Sequence, residues 1–265
     1  MDFAGQTVIV TGAATGLGLA FASAFASAGA CVVLGDIATR AVDEAAQQLS
    51  DRFPSRQIVG IPVDVTDPTS TRELAARAVA ISGRIDVLVN NAAVYASLKR
   101  QPFDQIDAAD WDRVMAVNLK GPFLMTQAVF PWMRARDRDP LHRFESPSAR
   151  HGAIINVASA TVMSGSPLWT HYVSSKAGVI GLTRSLAREL GDHGITVNAL
   201  APGFTLTEGS RNLIADAETY GVQRGAIKRA AQPGDMVGSA LYLASPLASF
   251  MTGQTLVVDG GRQFV

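Results

Sequence analysis

The chain contains a single cysteine and no excess charge of either sign. Cys31 is the only cysteine among 265 residues, so neither an intrachain disulfide nor a cysteine metal cluster can form. It opens an apolar run, which predicts a small buried core residue. Lys and Arg together number 23, as do Asp and Glu, which gives no electrostatic reason to expect binding to nucleic acid or to an anionic membrane. A reducing cytoplasm is compatible with this composition.

Charge is also missing from one long stretch. Residues 7–35 hold no charged side chain, and a segment of that length could span a bilayer. Five glycines interrupt the stretch, however, and its hydrophobic period changes along its length, so it is typical of strand, turn, helix and strand. The start, MDFAGQ, has no basic region, and we therefore expect neither a signal peptide nor a membrane partner.

The histidines lack the spacing of a metal site. His142, His151, His171 and His193 are scattered along the second half of the chain, and each is expected to be exposed or to cap a helix. We therefore predict no metal site. No pair of carboxylates suggests glycosidic chemistry.

Short β-rich runs alternate with helical segments such as TRAVDEAAQQLSDRF. The runs are TVIVT, CVVLGD, QIVGIPVDV, IDVLVNNA, GAIINVAS, ITVNALAP and TLVVDGG. Such alternation predicts a doubly wound α/β domain with helices on both faces of a parallel sheet. Strands covered on both faces form continuous apolar runs, as these do. Because no repeat or linker divides the chain, we expect one domain over 1–265 with a seven-stranded sheet.

The run TVIVTGAATGLG joins the first strand to a helix through a glycine-rich turn. Glycine lets the backbone approach a pyrophosphate, which the helix N-terminus can then bind. The spacing is T-G-x-x-x-G-x-G, so a merely tight strand–helix packing is an alternative. Asp36 ends the second strand, where a carboxylate can accept hydrogen bonds from an adenosine ribose and would repel a 2′-phosphate. The turn has no Lys or Arg, so NAD is predicted over NADP; Arg40 is the nearby basic residue that could change this preference.

Further motifs follow in a fixed order along the chain. They are TGAATGLG at 11, Asp36, DV at 64, NNAA at 90, Asn118 in VNLKG, Ser159 in NVASA, YVSSK at 172 and NALAPGFTLT at 198. In this order and spacing the chain resembles the short-chain dehydrogenase/reductase family over essentially its whole length, and the resemblance implies a Rossmann-like fold. Two features depart from the family: NNAA ends in alanine where glycine is commoner, and 134–152 is longer than usual.

The resemblance implies a catalytic set of Asn118, Ser159, Tyr172 and Lys176. Tyr172 would be the acid/base, with Lys176 one helical turn away. A free tyrosine titrates near pH 10, and one cation at about 4 Å supplies roughly the 4 kcal/mol that separates this from neutrality. We therefore expect Lys176, helped by the positive nicotinamide ring, to bring the phenol into working range. Ser159 would hydrogen-bond the substrate oxygen, and Asn118 would hold a water that relays protons to Lys176. As alternatives, Ser159 caps a turn or helix and Asn118 is a buried amide satisfied by backbone.

The resemblance also assigns the cofactor contacts. They are Gly12, Thr15, Gly16, Leu17, Gly18, Asp36, Asp64, Val65, Asn91, Tyr172, Lys176, Thr205 and Thr207. Asp64 and Val65 would border the adenine, and Thr205 and Thr207 would touch the nicotinamide carboxamide. Asn91 would lie near the ribose, unless it only forms a turn at a strand end.

The predicted activity is NAD-dependent interconversion of a small secondary alcohol and a ketone. THY before VSSK, and ITVNALAP, loosely resemble family members that act on aryl secondary alcohols. Residues placed where they could line an apolar or aromatic pocket are Val94, Tyr95, Met163, Leu168, Trp169, Phe204 and Tyr220. Alternatives are a reductase of 3-oxoacyl or sugar carbonyls, and an NAD-binding sensor or scaffold without turnover. The complete catalytic set disfavours the last of these.

Two irregular segments and two apolar helices complete the predictions. The segment 204–233 follows the sixth strand at its carboxyl end, where open α/β sheets bind ligands, so it should form the substrate lid. The segment 134–152 joins a helix to the fifth strand at the amino end, so it should be an exposed, mobile loop on the other side of the sheet, or a subunit contact. Related chains bury the helices at 110–135 and 170–190 in tetramers, so we expect a homotetramer.

Overall fold

The computed structural model describes residues 1–134 and 152–264. Seven parallel strands form one sheet in the order β3-β2-β1-β4-β5-β6-β7, which confirms the predicted seven-stranded, helix-flanked parallel sheet. The strands are β1 Thr7–Thr11, β2 Cys31–Asp36, β3 Ile58–Pro62, β4 Val87–Asn90, β5 Gly152–Val157, β6 Ile195–Pro202 and β7 Thr255–Val258. Each lies within one of the runs predicted as strands.

Helices cover both faces of the sheet. They are α1 Gly16–Ser27, α2 Thr39–Arg52, α3 Pro68–Ser82, α4 Ala108–Met115, α5 Gly121–Arg134, α6 Thr161–Ser164, α7 Thr170–Leu190, α8 Glu208–Leu213 and α9 Pro233–Ala244. A π-helical turn, Ala116–Lys120, joins α4 to α5. Within the described parts of the chain, no helix has the length and apolar character needed to cross a membrane.

Two cores explain the long uncharged stretch at the start of the chain. Successive side chains of a strand point to opposite faces of the sheet. Val8 and Val10 join the core that α1, α2 and α9 cover, whereas Ile9 joins the core beneath α3, α5 and α7. Because both faces of the central strands are buried, neither face has room for a solvated charge.

Cys31 differs from its prediction. The side chain is half-buried rather than part of the core, because it occupies the first position of β2, at the amino edge of the sheet. Burial raises the pKa of its thiol.

The strand order creates a crevice at one edge of the sheet. β1 pairs with both β2 and β4, so the chain builds outward to β3 and then crosses back to β4 on the other side of β1. At such a reversal the connections after the two central strands lead in opposite directions and leave a gap at their carboxyl ends. The loops that follow β1, β4 and β5 all begin at this gap.

The predicted loop at 134–152 lies almost wholly outside the described residues. α5 ends at Arg134 and β5 begins at Gly152. The expectations for its exposure and for its place relative to the catalytic residues stay predictions.

Candidate active site

The glycine-rich turn after β1 has no room for a side chain at Gly12 or Gly18. Gly12 and Gly16 have positive φ angles of 62° and 59°, which favour glycine. A Cβ on Gly12 would lie 2.7 Å from the Cα of Ala92, and one on Gly18 would overlap the carbonyl oxygen of Gly12. The turn is therefore packed tightly against the loop after β4, as the alternative interpretation held, but this packing also leaves bare backbone facing the crevice.

The start of α1 lies beside this turn. Thr15 has an extended backbone and immediately precedes the helix, whose first N–H groups have no partners within the helix. Thr15, Gly16 and Leu17 line a cavity with a volume of about 800 Å³. Free N–H groups and the positive end of the helix dipole suit a pyrophosphate. The residues present thus fit a dinucleotide cofactor.

Asp36 lies at the end of β2, beside the same turn. One carboxylate oxygen accepts the N–H of Ala14 at 3.1 Å, and the other accepts the N–H of Ala38, also at 3.1 Å. These bonds fix a half-exposed carboxylate where an adenosine ribose would lie. Arg40, which could have altered the charge here, pairs with Glu44 at 2.7 Å and has a side chain that is 92% exposed.

Asp64 and Val65 lie just beyond β3, next in line from Asp36 along the sheet edge. A carboxylate oxygen of Asp64 accepts hydrogen bonds from the N–H and the hydroxyl of Thr66, at 2.8 and 2.7 Å. Val65 is buried and packs closely on Gly121. A Cβ on Gly121 would lie 2.8 Å from a methyl group of Val65. Both residues therefore shape the turn at the adenine end of the predicted site.

Asn91 forms the turn at the end of a strand that was the alternative considered for it. Its amide nitrogen donates to the carbonyls of Thr11 and Gly12 at 3.0 Å each, so it fastens the glycine-rich turn to the end of β4. Asn91 also lines this cavity, and its place near the ribose stays a prediction.

The structure brings Ser159, Tyr172 and Lys176 into the wall of this cavity. Tyr172 and Lys176 lie one turn apart on α7, and Ser159 follows β5. The Nζ atom of Lys176 lies 5.9 Å from the centre of the Tyr172 ring and donates to the carbonyl of Val157 at 2.7 Å. Strand β5 and helix α7 thus hold the ammonium and the phenol together.

Ser159 also caps a turn. Its hydroxyl oxygen accepts the N–H of Thr161 at 3.2 Å and the Thr161 hydroxyl at 2.9 Å. The alternative role is therefore present, but it uses only the acceptor capacity of the hydroxyl, and the donor remains for a neighbouring oxygen.

Burial dominates the electrostatics of the pair. It raises the pKa of Tyr172 to about 12, although a hydrogen bond with Ser159 acts in the opposite direction. Burial also lowers the pKa of Lys176 to about 8. The expectation that Lys176, helped by the positive nicotinamide ring, brings the phenol into working range stays a prediction, because in the chain alone the desolvation of the phenolate is the largest effect on the pKa of Tyr172. At neutral pH, Lys176 is charged and Tyr172 carries its proton.

Asn118 is fully buried at the centre of the π-helical turn. Its side-chain oxygen accepts the N–H of Val94 at 2.7 Å, and its amide nitrogen lies 3.3 Å from the Val94 carbonyl and 3.2 Å from the Ser175 hydroxyl. The amide is therefore satisfied by backbone and by Ser175, as the alternative held. These bonds fix the loop after β4 relative to α7, next to Lys176.

The segment 204–233, predicted to form the substrate lid, contributes residues to the cavity wall. Thr205 and Thr207 line the cavity, and Thr207 also caps α8 by accepting the N–H of Ser210 at 3.1 Å. A Cβ on Gly16 would lie 3.6 Å from the Thr207 methyl carbon, so the start of this segment lies against the glycine-rich turn.

Aromatic side chains form much of the remaining wall. The rings of Tyr95, Trp169 and Tyr172 have centroids 5.2 to 5.5 Å apart, and Phe204 contacts Tyr220 at 4.8 Å. Of the seven predicted pocket residues, the cavity wall contains Tyr95, Trp169, Phe204 and Tyr220. The other three lie outside it: Val94 packs behind the aromatic rings, Met163 packs beside α7 and Leu168 is 40% exposed.

Three basic side chains on the cavity wall were missed by sequence reasoning. They are Arg100, Arg224 and Arg262. They lie far apart in the chain and in no recognisable motif, so only the fold reveals that they share a site.

The two histidines within the described residues do not line this cavity. His171 is 1% exposed, so the expectation of an exposed or capping residue is wrong for it, because the first turns of α7 are covered by neighbouring elements. His193 contacts the Phe130 ring at 5.1 Å, and His142 and His151 lie outside the described residues. Over residues 1–134 and 152–264, no cluster of three or more His, Cys, Asp or Glu side chains could hold a metal.

Comparison with known proteins adds four relationships. A family model described as enoyl-(acyl carrier protein) reductase matches residues 12–263. The chain is 36% identical to a 3-oxoacyl-[acyl-carrier-protein] reductase of Thermotoga maritima, covering 98% of this chain and 99% of that protein. It is 38% identical to a cis-4-hydroxycyclohexanecarboxylate dehydrogenase of Sinomonas cyclohexanicum, covering 98% and 97%. A solved structure from Beutenbergia cavernae with bound NADP aligns with a TM-score of 0.85 at 35% identity, covering 98% of each chain.

Proposed function

The chain belongs to the short-chain dehydrogenase/reductase family, and on this premise we propose that it interconverts a secondary alcohol and the corresponding ketone with NAD as cofactor. The observation that carries the proposal is the shared cavity. Ser159, Tyr172 and Lys176 line the same wall as the glycine-rich turn, so a substrate oxygen beside Tyr172 would lie next to a cofactor bound at that turn.

The residues of the chain supply the proton chemistry. When bound, NAD would supply the acceptor for the hydride that leaves the carbinol carbon. In oxidation the phenolate form of Tyr172 would take the hydroxyl proton as the carbonyl forms, and in reduction the phenol form would give a proton back. Ser159 donates a hydrogen bond to the substrate oxygen. Lys176, held by the Val157 carbonyl at 2.7 Å, stabilises the phenolate through its charge.

The choice of NAD over NADP rests on Asp36. Its carboxylate is fixed by two backbone N–H groups and would meet the additional phosphate of NADP with like charge. The Beutenbergia relative binds NADP, so the expected preference of this chain for NAD rests on its own Asp36. A non-catalytic NAD sensor is disfavoured because pure binding does not need Ser159 and Tyr172 beside the cofactor.

The aromatic wall favours an apolar or ring-containing substrate. The rings of Tyr95 and Trp169 both contact the ring of Tyr172. Such ring surfaces pack well against apolar groups. The Sinomonas relative is named for a cyclic alcohol. Reduction of a 3-oxoacyl group is the second candidate, favoured by the Thermotoga relative.

Turnover by a phenylalanine variant tests the proposal. NADH fluorescence is followed while the protein is incubated with NAD and a panel of alicyclic, aryl and 3-hydroxyacyl secondary alcohols. Tyr172→Phe keeps the ring and removes the proton carrier, so kcat should fall by about two orders of magnitude or more, with NADH affinity within about twofold. Tyr242→Phe, on α9 and outside the cavity wall, is the matched control. Appreciable turnover in Tyr172→Phe would refute the assignment.

We also propose a homotetramer. The helices predicted to form the subunit contacts carry large apolar side chains at the surface. Trp111, Phe123 and Trp132, on α4 and α5, are 37%, 44% and 41% exposed. Burial of such side chains between subunits would remove apolar surface from water.

A further inference from the structure

The far end of the lid is fastened to the turn that follows β7. The N–H of Ala226 donates to the carbonyl of Gly261 at 3.3 Å, and the N–H of Ile227 donates to that of Gly260 at 2.9 Å. These bonds bring Arg262, near the end of the chain, to the cavity wall beside the lid.

The Arg262 guanidinium is held in a fixed position. One of its nitrogens donates to the carbonyl of Tyr220 at 2.8 Å. The group lies flat against Gly221, where a Cβ would lie 2.9 Å from the guanidinium carbon. Gly221 has a φ of 70°, so this position both favours glycine and keeps the space for the guanidinium. The Tyr220 carbonyl uses only part of the donor capacity of a guanidinium, which has five N–H groups.

Arg224 and Asp259 line the same cavity as Arg262. Burial has the largest effect on the pKa of Arg262 and lowers it, whereas Asp259 and Tyr220 raise that pKa and a smaller repulsion by Arg224 lowers it. One carboxylate oxygen of Asp259 is taken up by the N–H groups of Gly261 and Arg262, at 2.9 and 3.0 Å. Among the described residues, no carboxylate oxygen lies within 4.0 Å of either guanidinium.

We propose that the substrate carries an oxyanion, either a carboxylate or a phosphate, which binds Arg262 and Arg224 while its apolar part packs against Tyr95 and Trp169. This inference rests on the proposed function, since it concerns the substrate of the same cavity. A planar guanidinium binds carboxylate and phosphate through paired N–H donors. The cavity volume of about 800 Å³ can hold such a molecule together with part of a cofactor.

The cofactor's own phosphates are the competing partners for these arginines. The pyrophosphate is assigned to the start of α1, at Gly16 and Leu17, where Gly16 lies close to the Thr207 methyl group. Arg262 lies instead beside Tyr220, at the end of the cavity formed by the second half of the lid. A test must therefore measure cofactor affinity and anion affinity separately.

Calorimetric titration of the NADH-saturated protein provides this test. The ligands are benzoate, phenyl phosphate, inorganic phosphate and the neutral benzamide. We expect benzoate or phenyl phosphate to bind at least about tenfold more tightly than benzamide, as the loss of a charge-assisted hydrogen bond implies. The tighter of the two organic anions identifies the oxyanion. Tight binding of inorganic phosphate alone, with no gain from the phenyl ring, would overturn the proposed place of the apolar part.

Variants of Arg262 assign the effect. Arg262→Gln should weaken the preferred anion about tenfold or more and change benzamide and NADH affinity less than about twofold, whereas Arg262→Lys should lose less. Arg77→Gln makes an equal charge change at an exposed position of α3, and it should change none of these affinities. Unchanged anion affinity in Arg262→Gln, equal binding of benzamide and benzoate, no binding of either organic anion, or a selective loss of NADH affinity would each overturn the proposal.

The design separates this inference from the proposed function. Tyr172→Phe should retain the Arg262-dependent anion binding although it has lost turnover. A wild-type protein that binds benzoate through Arg262 but oxidises no alcohol would keep this inference and refute the proposed function.

Discussion

Replacement of Lys176 by methionine should raise the pH at which alcohol oxidation reaches half its maximal rate. Methionine fills similar apolar volume in this buried position and removes the charge. The lost charge lies 5.9 Å from the centre of the Tyr172 ring, over which a phenolate charge is partly spread. At an effective dielectric of about 20, this distance corresponds to about 2.8 kcal/mol, or about two pKa units for the phenol.

The assay is the pH dependence of kcat for NAD reduction, with cofactor and the best alcohol of the panel both saturating. A shift of about two units would slow oxidation roughly 100-fold well below the midpoint, and raising the pH would recover much of that loss. The affinity for NADH is measured separately, because removal of the ammonium should also weaken cofactor binding. Lys176→Arg, which retains a cation, should shift the midpoint less.

One result would refute this reasoning. If Lys176→Met lowered kcat by the same factor at every pH and left the midpoint within about half a unit, the ammonium would position groups without stabilising the phenolate. The proton transfer would then depend on burial and on the hydrogen bond with Ser159, the two causes that act on the pKa of Tyr172 in the chain alone.

Four further predictions follow from the site and its surroundings. NAD should be used at least about tenfold more efficiently than NADP, and Asp36→Ala combined with Ile37→Arg should relax that preference; equal use by the unmodified protein would contradict it. Gly18→Ala should weaken NADH binding about tenfold or more or destabilise the fold, because its Cβ would overlap a carbonyl oxygen; Gly181→Ala, which meets open space on α7, should leave affinity unchanged. Light scattering at micromolar concentration should give the mass of four copies, and a monomer would argue against the proposed assembly. Burial lowers the pKa of Lys176 from 10.5 to about 8, so its contribution to stability is present above pH 10.5 and is lost as the pH falls toward 8. Denaturant titrations between these two pH values should show the unfolding free energy of the wild type rising with pH, relative to that of Lys176→Met, by up to roughly 3 kcal/mol. Unfolding free energies that change in parallel for the two proteins would exclude this effect.

Hydrophobic patterning was enough to predict the sheet. Val8, Ile9 and Val10 show why: a strand buried on both faces needs apolar residues without alternation, and seven such runs separated by helical segments leave few other architectures. Strand ends were less well predicted. β4 spans only Val87–Asn90, because Asn91 and Ala92 belong to the loop at the crevice, where their N–H groups donate to the Thr11 hydroxyl.

The candidate site was predictable where it consists of short motifs and not where it depends on contacts between distant segments. Tyr172 and Lys176 share a helix face by spacing alone, so their proximity could be predicted. The depth of their burial, which sets both pKa values, depends on packing that no local pattern encodes. Arg224 and Arg262 line one cavity because N–H groups just after Arg224 donate hydrogen bonds to the turn after β7.

The π-helical turn at Ala116–Lys120 means that the site depends on chain length as well as on residue identity. Each residue of an α-helix advances the chain by about 100° around the axis, and a π turn accommodates one residue more than a regular helix would. Deletion of a single residue from this turn could restore a regular helix from Ala108 to Arg134. It would also rotate one half relative to the other and withdraw Asn118 from Val94 and Ser175. A homologue one residue shorter here could thus retain Tyr172, Lys176 and Ser159 and still lack their alignment.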